Sequence, residues 1–206
     1  AAEFARSLGT SEITARRYLD ILSGAYMVRI LPPWFENISK RQVKAPKIYI
    51  HDSGLFHALL QLSTLPDLQS HPKLGAAWEG FALEQVIGRF KTRDAYYWAT
   101  YSGAELDLMI HFSGQRYGFE FKYSDAPGIS RSMRIAMQDL SLDHLWVVYP
   151  GRQAYPLDEH ISAELVGFRA GQYEGGVPWD YRPQRPTYGC ALWVAIIFQK
   201  NLRSSA

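Results

Sequence analysis

Cysteine is nearly absent. Cys190 is the single one in 206 residues, so no disulfide closes within the chain and no cysteine-based zinc site assembles from it. A reducing compartment, the cytoplasm, is the expected setting. Long apolar runs are missing too. The longest, Cys190 to Phe198, falls short of the ~20 residues that cross a membrane, and the N-terminus lacks the basic start and apolar stretch of a signal peptide. Charge of one sign is not in excess: 22 Lys and Arg against 20 Asp and Glu leave a net charge of +2. Any nucleic-acid site is therefore expected as a local patch and not as a property of the whole chain. No stretch fits G-x-x-x-x-G-K-[ST], so this chain binds no ATP through a P-loop. Ser53-Gly54 lacks the G-x-S-x-G setting of a nucleophile elbow, and His51, His57 and His71 stand without partners at metal-ligand spacing. Apolar and aromatic residues are plentiful, at 47% and 14%, enough to build a packed core. The chain opens at Ala1 without Met, already in a helical pattern, and reads as a fragment of a longer protein.

Three regions follow from composition and period. Residues 1–73 begin with two short helices: Phe4, Ala5 and Leu8 on the first, then Ile13, Tyr18, Leu19, Ile21 and Leu22 on the second, with Thr10 or Ser11 as cap and Ser23-Gly24 as stop. An apolar, β-prone run from Tyr26 to Leu31 ends at Pro32-Pro33. Helix, turn, helix, strand is the outline of a winged helix. Lys47 to Ile50 reads as a further short strand, and a helix capped by Asp52 or Ser53 carries Leu55, Phe56, Leu59 and Leu60. Leu65 to Pro72, with two prolines, reads as a loop. Residues 74–166 are expected to form a helix from Trp78 to Phe90, strands Ala95–Ala99, Glu105–His111 and Arg116–Ser124, a helix from Ile129 to Leu140, and a buried strand Leu145–Tyr149, with turns at Ser102-Gly103 and Ser113-Gly114. This order, α-β-β-β-α-β, predicts an α/β sandwich around a mixed sheet. Residues 167–206 form a tail punctuated by glycine and proline, without a clear period.

The candidate chemistry lies on the strands. Residues two apart share a face, so Glu105 and Asp107 are expected to point one way and Leu106, Leu108 and Ile110 the other. On the next strand Glu120 and Lys122 share a face opposite Phe119 and Phe121. Neighbouring antiparallel strands then set Asp107 beside Glu120 and Lys122. Carboxylates gathered in this way repel one another unless a hard cation joins them. A solvated sheet face is the plain alternative. On the preceding helix, Glu79 falls in the middle of the stripe Trp78, Ala82, Leu83, Val86, Phe90, whereas Glu84 falls almost opposite, toward solvent. A carboxylate in a packing stripe needs a partner, either a shared cation or a salt bridge to Lys122 or an arginine. Arg16 and Arg17 on the second helix, and the basic stretch Lys40, Arg41, Lys44 and Lys47, are candidate nucleic-acid contacts, with solvated faces as the plain account. Arg131 and Arg134, one turn apart, need no such role, and Trp98 and Trp146 are expected in the core.

A helix with an early Glu, a strand Asp and a following Glu-x-Lys, in this element order, resembles the PD-(D/E)XK restriction-endonuclease-like superfamily. More closely, the chain resembles the domain of unknown function that follows the ATPase module in many prokaryotic AAA-type ATPases. The resemblance rests on Arg16 to Leu22, Leu31-Pro32-Pro33, Lys40-Arg41, Lys47 to Leu55, Trp78-Glu79-Gly80-Phe81, Ser102 to Asp107 and Phe119-Glu120-Phe121-Lys122. It implies Asp107, Glu120 and Glu79 as ligands of Mg²⁺ or Mn²⁺, Lys122 as the lysine that stabilises charge or orients water, DNA as substrate, and an ATPase module outside this chain. Leu106 stands where the motif has proline, and the tail after Val166 has no recognised counterpart. Two readings compete with a nuclease: a catalytically inactive nuclease-fold module binding DNA or a protein, and an adaptor marked by exposed apolar surface on the first helices.

Overall fold

The computed structural model describes residues 2–166; the tail and Cys190 lie outside the described residues. Two helices, α1 (Ala2–Ser7) and α2 (Glu12–Gly24), lead into an antiparallel ribbon of β1 (Val28–Leu31) and β2 (Lys47–Ile50), followed by α3 (Ser53–Leu59) and α4 (Leu65–Ser70). Ser11 and Asp52 cap α2 and α3 by accepting from the backbone N–H three residues on. The segment from Leu65, expected as a loop, is the helix α4. Pro66 sits in its first turn, where its missing N–H costs nothing, and Thr64 and Asp67 close a capping box.

The remainder is a mixed α/β unit: α5 (Leu74–Phe90), β3 (Ala95–Ala99), β4 (Glu105–Phe112), β5 (Gln115–Phe121), α6 (Arg131–Asp139), β6 (His144–Tyr149), β7 (Tyr155–Asp158) and β8 (Ile161–Leu165). The last two strands were not foreseen. The six strands form one sheet in the order β3-β4-β5-β6-β8-β7. The first three make an antiparallel meander, α6 carries the chain across to β6, parallel to β5, and β8 is parallel to β6. The β4–β5 turn pairs Phe112 with Gln115 around Ser113 and Gly114, both at positive φ (53° and 80°), the backbone of a two-residue hairpin turn that follows strand twist.

Each face of the sheet has its own core. On one, α5 lays Trp78, Phe81, Ala82, Leu83, Val86 and Phe90 over Leu108, Ile110, Phe119, Phe121 and Val148. On the other, Met133, Ala136 and Leu140 of α6 and its C-cap meet Trp98, Leu106, Met109, Leu145 and Val147. Gly118 on β5 gives α6's side its close fit, since a Cβ there would come within 2.7 Å of Leu142. The first unit is continuous with this core: Leu31 and Leu68 are buried in the α5-side cluster, with Val43, Tyr49, Phe56 and Leu62 packed against it. The segment after β1 runs along β3, where Trp34 N–H donates to Tyr97 O, Tyr97 N–H to Pro32 O, Val43 N–H to Ala99 O and Tyr101 N–H to Arg41 O. No helix among the described residues is long and apolar enough to cross a membrane.

Glu164 on β8 is 5% exposed, and burial pushes its carboxyl up from 4.5 to about 7, partly offset by the Leu165 backbone N–H. A raised carboxyl favours the protonated fold, so its contribution is intact below pH 4.5 and is lost as the pH climbs through about 7. Glu164→Gln has no charge to bury. It is expected to melt above the parent at pH about 8 and level with it at pH about 4, read from thermal unfolding across that range.

Candidate functional site

The acids converge where strand alternation breaks inside β4. Tyr96 pairs with Met109 and Trp98 with Leu106, so Tyr97 alone stands opposite Asp107 and Leu108, a β-bulge in β4. The strand therefore turns over within its length. Leu106 and Met109 pack toward α6, whereas Leu108 and Ile110 pack toward α5. This corrects the expected uniform alternation, in which Leu106, Leu108 and Ile110 share a face. The bulge leaves Asp107 7% exposed, with its two oxygens divided: Oδ1 faces Lys47, and Oδ2 accepts from Phe121 N–H at 3.1 Å.

Lys47 is the centre of the cluster. Its Nζ lies 2.5 Å from Glu105 Oε1, 3.2 Å from Glu79 Oε1 and 3.3 Å from Asp107 Oδ1. It also stands 5.5 Å from the centroid of the Tyr97 ring. Two residues along the same strand face, Tyr49 donates its hydroxyl to Glu79 Oε1 at 2.6 Å. Glu79 thus has the partner its place in the packing stripe requires, and that partner is Lys47 from β2, neither Lys122 nor an arginine. Lys47, a candidate nucleic-acid contact by sequence, is instead the counter-ion of this cluster; the one sequence signal for that role is the alternation that puts Lys47 and Tyr49 on one side of β2. Burial opposes its charge, but Asp107, Tyr49 and Glu79 hold its pKa above the usual lysine range. Asp107 is shifted up, first by burial and then by the charges of Glu120 and Glu79.

Glu120 and Lys122 form a separate pair, Nζ to Oε1 at 2.7 Å. Glu120 is in register with Val147, which packs toward α6, while its neighbours Phe119 and Phe121 pack toward α5. Glu79 and Glu120 therefore approach Asp107 from opposite sides of the sheet. Glu120 is 6% exposed, its Oε2 is buried and meets no hydrogen-bond partner among the described residues, and burial raises its pKa. The donor set does not fit a divalent metal as it stands. Among the described residues no three acidic or imidazole groups are arranged to hold one. The oxygens around Lys47 Nζ, at 2.5 to 3.3 Å, are set for an ammonium, beyond the ~2.0–2.1 Å of Mg²⁺.

A second acid on α5 departs from its expected place. Glu84, expected toward solvent, is half-buried and bound by Arg29 of β1 through two bonds of 2.5 and 2.7 Å, with His51 Nδ1 at 3.0 Å. The helix turns Glu79 and Glu84 to the same neighbour, the ribbon, because the ribbon packs across its flank. Of the other basic candidates, Lys40 grips both oxygens of Asp139 on α6 and Arg41 lies 4.5 Å over the Tyr101 ring. Lys44, Arg16 and Arg17 are exposed. The histidines are structural where they are engaged: His144 Nε2 meets the buried Ser162 Oγ at 2.9 Å, and burial lowers its pKa to about 4.

Residues 74–166 match the family described as "Domain of unknown function (DUF4143)", which is associated with the C-terminal regions of AAA-type ATPases, and residues 1–65 match "Domain of unknown function (DUF8612)". Uncharacterized proteins of Mycobacterium tuberculosis and Mycobacterium bovis are each 52% identical to this chain over 162 residues, 79% of this chain and 37% of the relative. The chain thus spans well under half the length of these relatives. No solved structure matches.

Glu84→Ala strips Arg29 of its bidentate partner at a site where water replaces it poorly. A loss of about 2 kcal/mol is expected, measured as a lowered urea midpoint; an unchanged midpoint would show that the ribbon is held without this pair.

Proposed function

We propose that this chain is a protein-binding coupling module from the C-terminal region of an AAA-type ATPase, built on a nuclease-like sandwich and cleaving no nucleic acid. The outward side of α2 carries the reading. Ile13, Arg17 and Ile21 follow one another at successive turns, with Ile13 and Ile21 68% and 66% exposed. Tyr18 lies beside them at 49%, and beyond the helix Tyr26 and Met27 are 81% and 41% exposed. Tyr26 also holds a positive φ of 56°, a conformation unusual for a bulky side chain. A helix that tracks phosphates presents cations and small polar groups. Large apolar side chains in this number suit a protein surface.

The charged residues favour the same reading. Lys40 and Lys47 are paired to acids of the chain itself, and Arg41 stacks on Tyr101. The acids of the nuclease-like motif are bound by Lys47 and Lys122, which argues against Mg²⁺-dependent hydrolysis of DNA as the resting activity. The greater length of the mycobacterial relatives supports a partner on the same polypeptide.

The portion of a mycobacterial relative outside the matched segment, purified separately, is expected to bind this chain on a biosensor. Ile13→Glu with Ile21→Glu, both on the surface, should weaken that binding at least about tenfold with an unchanged circular dichroism spectrum. Undiminished binding by the double variant sinks the reading. So does Mn²⁺-dependent DNA cleavage by the parent chain that disappears in Asp107→Ala.

A further inference from the structure

The outward ridge of α2 is apolar at both ends and cationic in the middle. Ile13, Arg17 and Ile21 are all exposed, each about 6 Å along the helix axis from the last. The two arginines of this helix differ in their neighbours. Arg16 has Glu12 one turn before it and Asp20 one turn after, the spacing at which helix charges compensate. Arg17 has isoleucines at both of those places, and Asp20, three residues on, is the one acid within a turn of it. Neither arginine forms an ion pair among the described residues.

Resting on the reading of α2 as a protein-binding surface, we propose that its partner is an acidic amphipathic helix, and that a carboxylate placed between two apolar residues of that helix seats on Arg17. A surface that covers Ile13 and Ile21 also covers the arginine between them. A guanidinium taken from water without an anionic acceptor is costly, so the occupant brings one. A carboxylate meets the planar guanidinium fork through two bonds. That acceptor stands among apolar groups, because the isoleucines a turn away on either side gain only from apolar cover. A helix supplies this order, since its residues four apart lie on one face. A nucleic-acid backbone brings the anion but sets sugar and further phosphates against the isoleucines.

The portion of a mycobacterial relative outside the matched segment, on a biosensor carrying the full chain, tests this, with a short DNA duplex as second probe. The parent's affinity for that portion should fall as salt is raised. Arg17→Gln is expected to weaken binding at least about tenfold and to flatten the salt dependence. Arg17→Lys should restore the salt dependence with part of the affinity, and Arg16→Gln should stay within about twofold of the parent. Within the bound portion, amide replacement of one carboxylate should reproduce the Arg17→Gln loss and add nothing to it. Binding lost in Ile13→Glu with Ile21→Glu but kept in Arg17→Gln overturns the acidic partner and leaves α2 a protein-binding surface. Absence of any such carboxylate also overturns it. Equal losses in Arg16→Gln and Arg17→Gln, or duplex binding that both abolish, overturn it in favour of a general basic surface. A parent chain that does not bind the portion sinks this proposal and the reading beneath it together.

Discussion

A lysine ammonium has three N–H donors, and Lys47 directs its nitrogen at acids from two other elements. That one group fixes where the ribbon lies, turns Glu79 inward on α5 and relieves the repulsion between Glu105 and Asp107 at the bulged end of β4. A buried carboxylate without a partner is destabilising by several kcal/mol; β2 supplies the counter-charge of Glu79 and Asp107, as Arg29 of β1 does for Glu84. Fold and site are in this sense the same interaction, seen from the ribbon or from the sheet.

The joint between the first unit and the sandwich follows a rule of sign. Arg29, Lys40 and Lys47 come from the first unit, and Glu84, Asp139, Glu79, Glu105 and Asp107 from the second. Arg116 with Glu36 is the reverse case. Beneath these pairs Leu31, Leu68 and Tyr49 join the α5-side core, so the apolar contact holds the units together and the charges set their register.

Much of this was legible in the linear order. The inward stripe of α5, the meander with its Ser113-Gly114 turn and the apolar run of β6 all show in period and turn chemistry, because each is a local property. What was not legible depends on distance or on a single displaced residue. Lys47 lies 32 residues from Glu79 and 60 from Asp107, and basic residues near it suggested a surface stretch. The bulge at Asp107-Leu108 leaves no mark in an alternating string of acids and leucines, yet it decides which leucine faces α5. Pro66 misled in one way, and residues 155–165 offered no clear period to read. Pro66 suggested a loop, whereas it sits in the first turn of α4; Pro156 sits in β7, at the end of the sheet order where a missing N–H is tolerated.

The stretch from Pro32 to Val43 has a consequence for any attempt to study the two family regions separately. Its backbone satisfies Tyr97, Ala99 and Tyr101 along the outer side of β3, so it acts as the sheet's selvage. A fragment beginning at Leu74 would leave those amides and carbonyls open beside a hydrophobic sheet, a ready template for sticking to another molecule of the same kind. The border between the two sequence families is therefore not a border at which this molecule comes apart.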